Sequence, residues 1–217
     1  MMSEPVYLPL RTASGGKLVH KFYIGTDEEN SLFVTLPGDH YGVDGPLLYY
    51  PAMALRRAGW STLALTYGYQ SAGEPFAVTV LPDMVEEASA AVREAIARVQ
   101  PGRICLAGKS LGAALITTLA ATMDELESAR LVYMTPPLTV PLFAPGFRDT
   151  RQPSLVLVGT ADRFYDRQVL EALRSERPFD LLEIVGADHS LIVEGGMKET
   201  LKALEQTVEK VLSFIQG

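Results

Sequence analysis

Apolar and polar positions alternate between two periods along this chain. Short, near-continuous apolar runs at Leu32–Leu36, Trp60–Thr66, Arg103–Ala107, Arg130–Met134, Ser154–Val158 and Phe179–Val185 read as buried strands. Val6–Leu10 and Lys17–Gly25 read as two further strands, joined by a hairpin-type turn at Ala13-Ser-Gly-Gly16. Between the apolar runs lie helical stretches. Leu47–Arg57 is closed by Gly59. Pro82–Gln100 places Val85, Ala88, Val92, Ile96 and Val99 on one face, and Ala113–Met123 and Asp166–Arg174 follow. A last helix, Met197–Phe214, carries Met197, Leu201, Leu204, Val208 and Val211 on a stripe. Thr135–Pro153 holds five prolines and predicts no regular element.

Strands that alternate with helices predict an α/β fold: a mostly parallel, doubly wound sheet with helices on both faces. The pattern shows no repeat and no linker, so residues 1–217 read as a single domain. The stretch 135–153 is too short to fold as a separate lid.

Composition narrows the partners. The chain has 217 residues, 47% of them apolar, and a formal net charge of −7 with no Lys/Arg-rich run. Phosphate-rich nucleic acid is repelled on average, and no nucleic-acid partner is expected. No run is long enough to span a bilayer. Met1–Thr12 carries charge and prolines where a leader would be apolar, so a cytoplasmic protein is expected. The one cysteine, Cys105, sits in an apolar run and reads as packing. Nothing implies a metal or an organic cofactor, and the oligomeric state is not legible.

The chemistry gathers at the ends of strands. Gly108-Lys-Ser-Leu-Gly112 is a G-x-S-x-G segment between a strand and a helix, the context of a sharp nucleophile elbow. Gly108 and Gly112 are required there because a Cβ at either position would meet the neighbouring strand or helix. Gly108-Lys109-Ser110 also resembles the tail of a phosphate-binding P-loop, but the opening glycine of that motif falls on Arg103. Past the next two apolar runs stand Gly159-Thr-Ala-Asp162 and Gly186-Ala-Asp-His189. Ser110, Asp162 and His189 thus follow three strands on one predicted sheet edge, where ligands of such sheets bind. A serine hydroxyl needs an imidazole to take its proton, and the imidazole needs a carboxylate to fix its tautomer. Asp166 and Asp188 compete for the last role. Asp166 reads as a helix start, and Asp188 adjoins His189 and cannot easily face its ring.

On these motifs the chain resembles the α/β-hydrolase fold family, in particular small lidless serine esterases of the dienelactone-hydrolase-like group. The resemblance runs from Leu32 to the last helix. It implies Ser110 as nucleophile, Asp162 as acid and His189 as base, acting on a small-molecule acyl substrate. It also implies an oxyanion hole formed by the backbone N–H of Leu111 and one from the loop after the early strand, where Asp39 matches best in Pro37-Gly-Asp-His-Tyr41. The Asp39 carboxylate is then expected to point away from the oxyanion.

His40, Tyr41, Tyr67 and Phe143 are the remaining candidates for the pocket. His40 is either a pocket-lining donor or a plain loop residue. Lys109 and Tyr67 fall close enough to flank the pocket, although their residue types favour solvated surface and packing. His20 sits on the early hairpin without a chemical role. A pocket walled by the 135–153 loop, with Leu138, Leu142, Phe143 and Phe147 as a modest apolar lining, predicts hydrolysis of short-chain esters or thioesters. Acyl transfer or a lyase reaction on the same residues, or a non-catalytic binding protein, are the alternatives.

Overall fold

The computed structural model describes residues 5–12, 15–141 and 143–217. Ala13 and Ser14 of the predicted hairpin turn, Leu142 of the predicted pocket lining, and residues 1–4 of the segment read as lacking a leader lie outside the described residues.

Eight strands form one sheet: β1 (Val6–Arg11), β2 (Lys17–Tyr23), β3 (Leu32–Leu36), β4 (Ser61–Ala64), β5 (Ile104–Lys109), β6 (Arg130–Met134), β7 (Ser154–Gly159) and β8 (Asp180–Ile184). Their order is β1-β2-β4-β3-β5-β6-β7-β8. β1 and β2 pair antiparallel, β2 is antiparallel to β4, and every later pairing is parallel. The helices are α1 (Pro46–Arg57), α2 (Gly68–Ser71), α3 (Leu81–Val99), α4 (Leu111–Thr122), α5 (Phe143–Asp149), α6 (Arg167–Glu176) and α7 (Met197–Gln216). α3, α4, α5 and α6 bury their apolar faces on one side of the sheet, and α1 and α7 on the other.

All five residues of β3 and all six of β7 are buried, which explains their continuous apolar spelling: both faces are covered by helices. The chain runs from β3 to β4 on one side and later returns to β5 on the other. That reversal opens a crevice beyond the carboxyl ends of β3 and β5, where the elbow sits.

Two expectations are corrected. Thr135–Pro153 does contain a helix, α5. Pro136, Pro137 and Pro141 precede it, Pro153 follows it, and Pro145 falls in its first turn, where a missing N–H breaks no helical bond. Phe143 and Phe147, one helical turn apart, pack edge-on against Tyr133, and Phe147 also meets Phe179. The buried face of α7 is Ala203, Thr207, Val211, Phe214 and Ile215, whereas Met197 and Leu201 are exposed. α7 packs on α1, and the buried Thr207 satisfies its hydroxyl on Ala203 O at 2.8 Å. His20 lies in β2 of the early hairpin, buried, and its Nδ1 accepts from Thr66 N at 3.1 Å. Burial lowers its pKa to about 4, so it stays neutral.

Candidate active site

β5 ends in the elbow. Ser110 is held at φ 53°, a conformation costly for a residue with a side chain, and its N–H donates to Met134 O at 2.9 Å. The flanking glycines make the turn possible: a Cβ on Gly108 would lie 2.4 Å from Gly112 O, and one on Gly112 would lie 2.3 Å from Leu36 O.

The turns after β7 and β8 are laced to each other. Ala161 N donates to Ala187 O at 2.9 Å, and Gly186 N donates to the Thr160 hydroxyl at 2.9 Å. Within this frame His189 Nε2 lies 2.9 Å from Ser110 Oγ, and His189 Nδ1 lies 2.7 Å from Asp162 Oδ2. Asp162 is buried, and its second oxygen accepts from Phe164 N at 2.8 Å. The Phe164 ring meets the imidazole edge-on, with centroids 4.9 Å apart. Both Asp162 oxygens are therefore committed, which fixes the carboxylate's orientation toward the ring.

The competing carboxylates are occupied elsewhere. Asp166 caps α6, accepting from Gln168 N and Val169 N. Asp188 accepts from Ser190 N and Ile192 N, folding the turn that carries His189.

Leu111 opens α4 and lines the cavity, and its N–H is one of the four helix N-terminal donors without an intrahelical partner. The segment after β3 is fastened carbonyl by carbonyl. The Tyr67 hydroxyl donates to Pro37 O, and Gln70 Nε2 donates to both Gly38 O and Asp39 O. The Asp39 carboxylate accepts from Tyr69 on one oxygen and faces His40 with the other. Gly38 packs against the elbow, its Cβ direction pointing 3.5 Å from Ser110 Cβ. Tyr69 and Gln70, which do this fastening, carry no signal in the sequence that could have found them.

A cavity of about 680 Å³ opens over Ser110. His40, Tyr41 and Phe143 line it, with His40 on the solvent-exposed rim. Tyr67 does not line it. That ring is fully buried and acts on the loop through its hydroxyl. Lys109, expected at a solvated surface, is 1% exposed and lines the cavity, its Nζ 5.3 Å above the Tyr41 ring. β5 is central and covered on both faces, and alternation puts residue 109 on the α1 and α7 side with Cys105 and Ala107. Burial pushes its pKa down to about 8, partly opposed by Asp162 and Asp188.

The cavity also departs from the loop-walled pocket expected. Its floor is helix α4 from Leu111 to Thr122, Phe147 belongs to the core beneath, and Leu138 is buried. Among the described residues no three His, Cys, Asp or Glu side chains are grouped to hold a metal ion, and no helix is long and apolar enough to cross a membrane.

Residues 38–216 match the family model described as the alpha/beta hydrolase domain, and the chain belongs to that family. Solved structures agree in fold. A Xanthomonas campestris member of the alpha/beta serine hydrolases without a lid superposes with a TM-score of 0.70 at 18% identity, over 97% of this chain and 96% of that one. A Pyrococcus furiosus esterase gives 0.74 at 15% identity, over 98% and 91%. A dienelactone hydrolase from Anabaena variabilis gives 0.69 at 18% identity, over 98% and 100%. No curated protein sequence matches the chain.

Proposed function

We propose that the protein is a serine hydrolase that cleaves carboxylic esters or thioesters through an acyl-enzyme on Ser110. The observation that carries the reading is the unbroken line Ser110 Oγ, His189 and Asp162, at 2.9 and 2.7 Å, on the tip of a strained elbow. Two fold neighbours, a serine hydrolase and an esterase, support the same reading.

Asp162 accepts a hydrogen bond from the Nδ1–H of His189, which holds the proton on Nδ1 and leaves Nε2 as a base toward Ser110. Oγ attacks the carbonyl carbon as its proton passes to Nε2, and the carbonyl oxygen gains the negative charge. The N–H groups of Leu111 and Asp39 receive that charge, aided by the N-terminus of α4. The imidazolium then gives its proton to the leaving oxygen or sulfur, and the bond to the leaving group breaks. Water, deprotonated by the same nitrogen, releases the acid and restores Ser110.

Labelling with a fluorophosphonate probe, with Ser110→Ala as control, tests the nucleophile. Labelling of wild type alone is expected, and equal labelling of both overturns the assignment. Turnover of matched ester, thioester and amide panels then sets the acyl class.

A further inference from the structure

The chain's most apolar helix is also half uncovered. α4, Leu-Gly-Ala-Ala-Leu-Ile-Thr-Thr-Leu-Ala-Ala-Thr, has no charged residue in 12. A helix apolar all round is normally buried all round. One face of α4 does pack into the core, through Gly112, Ala113, Leu115, Ile116, Thr117 and Leu119. The other, Leu111, Ala114, Thr118, Ala121 and Thr122, follows helical spacing as one stripe and lines the cavity, with the buried Leu115 at its inner margin. Thr118, Ala121 and Thr122 are exposed.

The stripe begins beside the nucleophile, and twelve residues of helix carry it about 16 Å away. Two walls confine it. Phe76, Val78, Leu81 and Val85 stand on the α3 side, and Val140 and Phe143 on the α5 side. Val78 is 66% exposed, an apolar residue on the rim. The second wall is anchored. Gln152 Nε2 donates to Ala120 O and Leu126 O, and Arg177 donates to Phe147 O and Gln152 O.

The sheet order decides which part of a substrate the groove takes. α3 packs on β1, β3 and β4, whereas His189 follows β8 on the opposite side of β5. A leaving group must lie on the His189 side, because Nε2 gives it a proton. With the oxyanion in its hole, the acyl substituent is left the direction of α4.

We infer that the groove is the acyl subsite, and that it holds an extended, unbranched aliphatic acyl chain of medium to long length along the outer stripe of α4. This deepens the serine hydrolase reading and rests on it. Each methylene laid on the stripe raises kcat/KM by up to about fourfold, until the chain reaches the end of α4.

The test is a molecular ruler. kcat/KM is measured for p-nitrophenyl acetate, butyrate, octanoate, dodecanoate and palmitate with wild type, Thr118→Trp at mid-groove and Ala121→Trp near its end. Both positions are exposed, so the indole is not forced into the core. The wild-type optimum is expected at octanoate or dodecanoate. Thr118→Trp should move it to butyrate, and Ala121→Trp should remove only the longest chains. A parallel arm measures binding of dodecanoate to Ser110→Ala by calorimetry, with and without Thr118→Trp, and needs no turnover.

Ester hydrolysis that is fastest with acetate, with a profile unmoved by either tryptophan, overturns the groove and leaves the hydrolase standing. Failure of wild type to take the fluorophosphonate or cleave any ester, with dodecanoate still bound and displaced by Thr118→Trp, overturns the hydrolase and leaves the groove. Absence of dodecanoate binding together with an acetate optimum removes the acyl subsite outright.

Discussion

On the β8 side of Ser110 the structure is polar and over-determined. His189, Asp162, the Phe164 amide and the interlaced turns after β7 and β8 fix one another by hydrogen bonds of 2.7–2.9 Å. On the α4 side the Thr117 and Thr122 hydroxyls are spent on carbonyls of their own helix, at 2.7 and 2.8 Å. Shape there comes from packing, with α5 seated by Phe143 and Phe147 on Tyr133 and the groove left as the unfilled face of an apolar helix. The difference follows from what each side must do. Proton transfer demands atoms held to a fraction of an ångström, so directional bonds are needed. Apolar surface is non-directional and accepts any chain that covers it.

That contrast can be broken from either side. The largest effect is expected from Ser110→Ala, which should lower ester turnover on the order of a millionfold with the melting temperature nearly unchanged. Asp162→Asn should come next, at about ten-thousandfold in kcat, because the amide favours the wrong imidazole tautomer. Asp166→Asn is its control. It loses at most about 1 kcal/mol of helix capping and keeps the rate. A crippled Asp166→Asn enzyme with an active Asp162→Asn enzyme would sink the assignment of the acid.

On the packing side, Phe147→Ala should cost about 3–5 kcal/mol in denaturant unfolding, since it empties the centre of the Tyr133, Phe143 and Phe179 cluster. Its kcat for p-nitrophenyl acetate should change by less than a few-fold, because the hydrogen-bonded side does not depend on that cluster. A large loss of kcat there would show the two sides to be coupled.

Lys109 sharpens the comparison, being a charge placed inside the site yet outside the hydrogen-bonded line. Its pKa is lowered from 10.5 to about 8, so the unfolded chain binds the proton more tightly than the folded one. Between pH 8 and 10.5 the unfolded state therefore holds more protons, and stability rises with pH across that window. The penalty is fully present below about pH 8. Lys109→Met should raise stability at pH 7 by roughly 3 kcal/mol or less and flatten the rise above pH 8. A melting curve against pH for both proteins decides it. Lower stability for Lys109→Met at pH 7 would mean that the stacking on Tyr41 outweighs the burial.

The polar side was the legible one. Gly-x-Ser-x-Gly, Gly-x-x-Asp and Gly-x-x-His each announce a sharp turn after an apolar run, and a parallel sheet delivers all such turns to one edge. The anchors of the 37–39 loop were not legible, because Tyr69 and Gln70 reach it from a separate four-residue helix. Nor was α5, whose prolines looked disqualifying until their positions relative to the helix start were known.

Local rules thus determined the alternation of strands and helices, the mostly parallel sheet and the elbow, since period, turn residues and steric limits act within a few residues of chain. Tertiary structure decided which faces meet. Lys109 was buried by its place in the central strand β5, α7 buried Ala203 and Thr207 while Met197 and Leu201 stayed outside, and α4 kept its outer stripe in the cavity between α3 and α5. Hydrophobic burial has no direction of its own, so a sequence marks a residue as apolar without naming what will cover it.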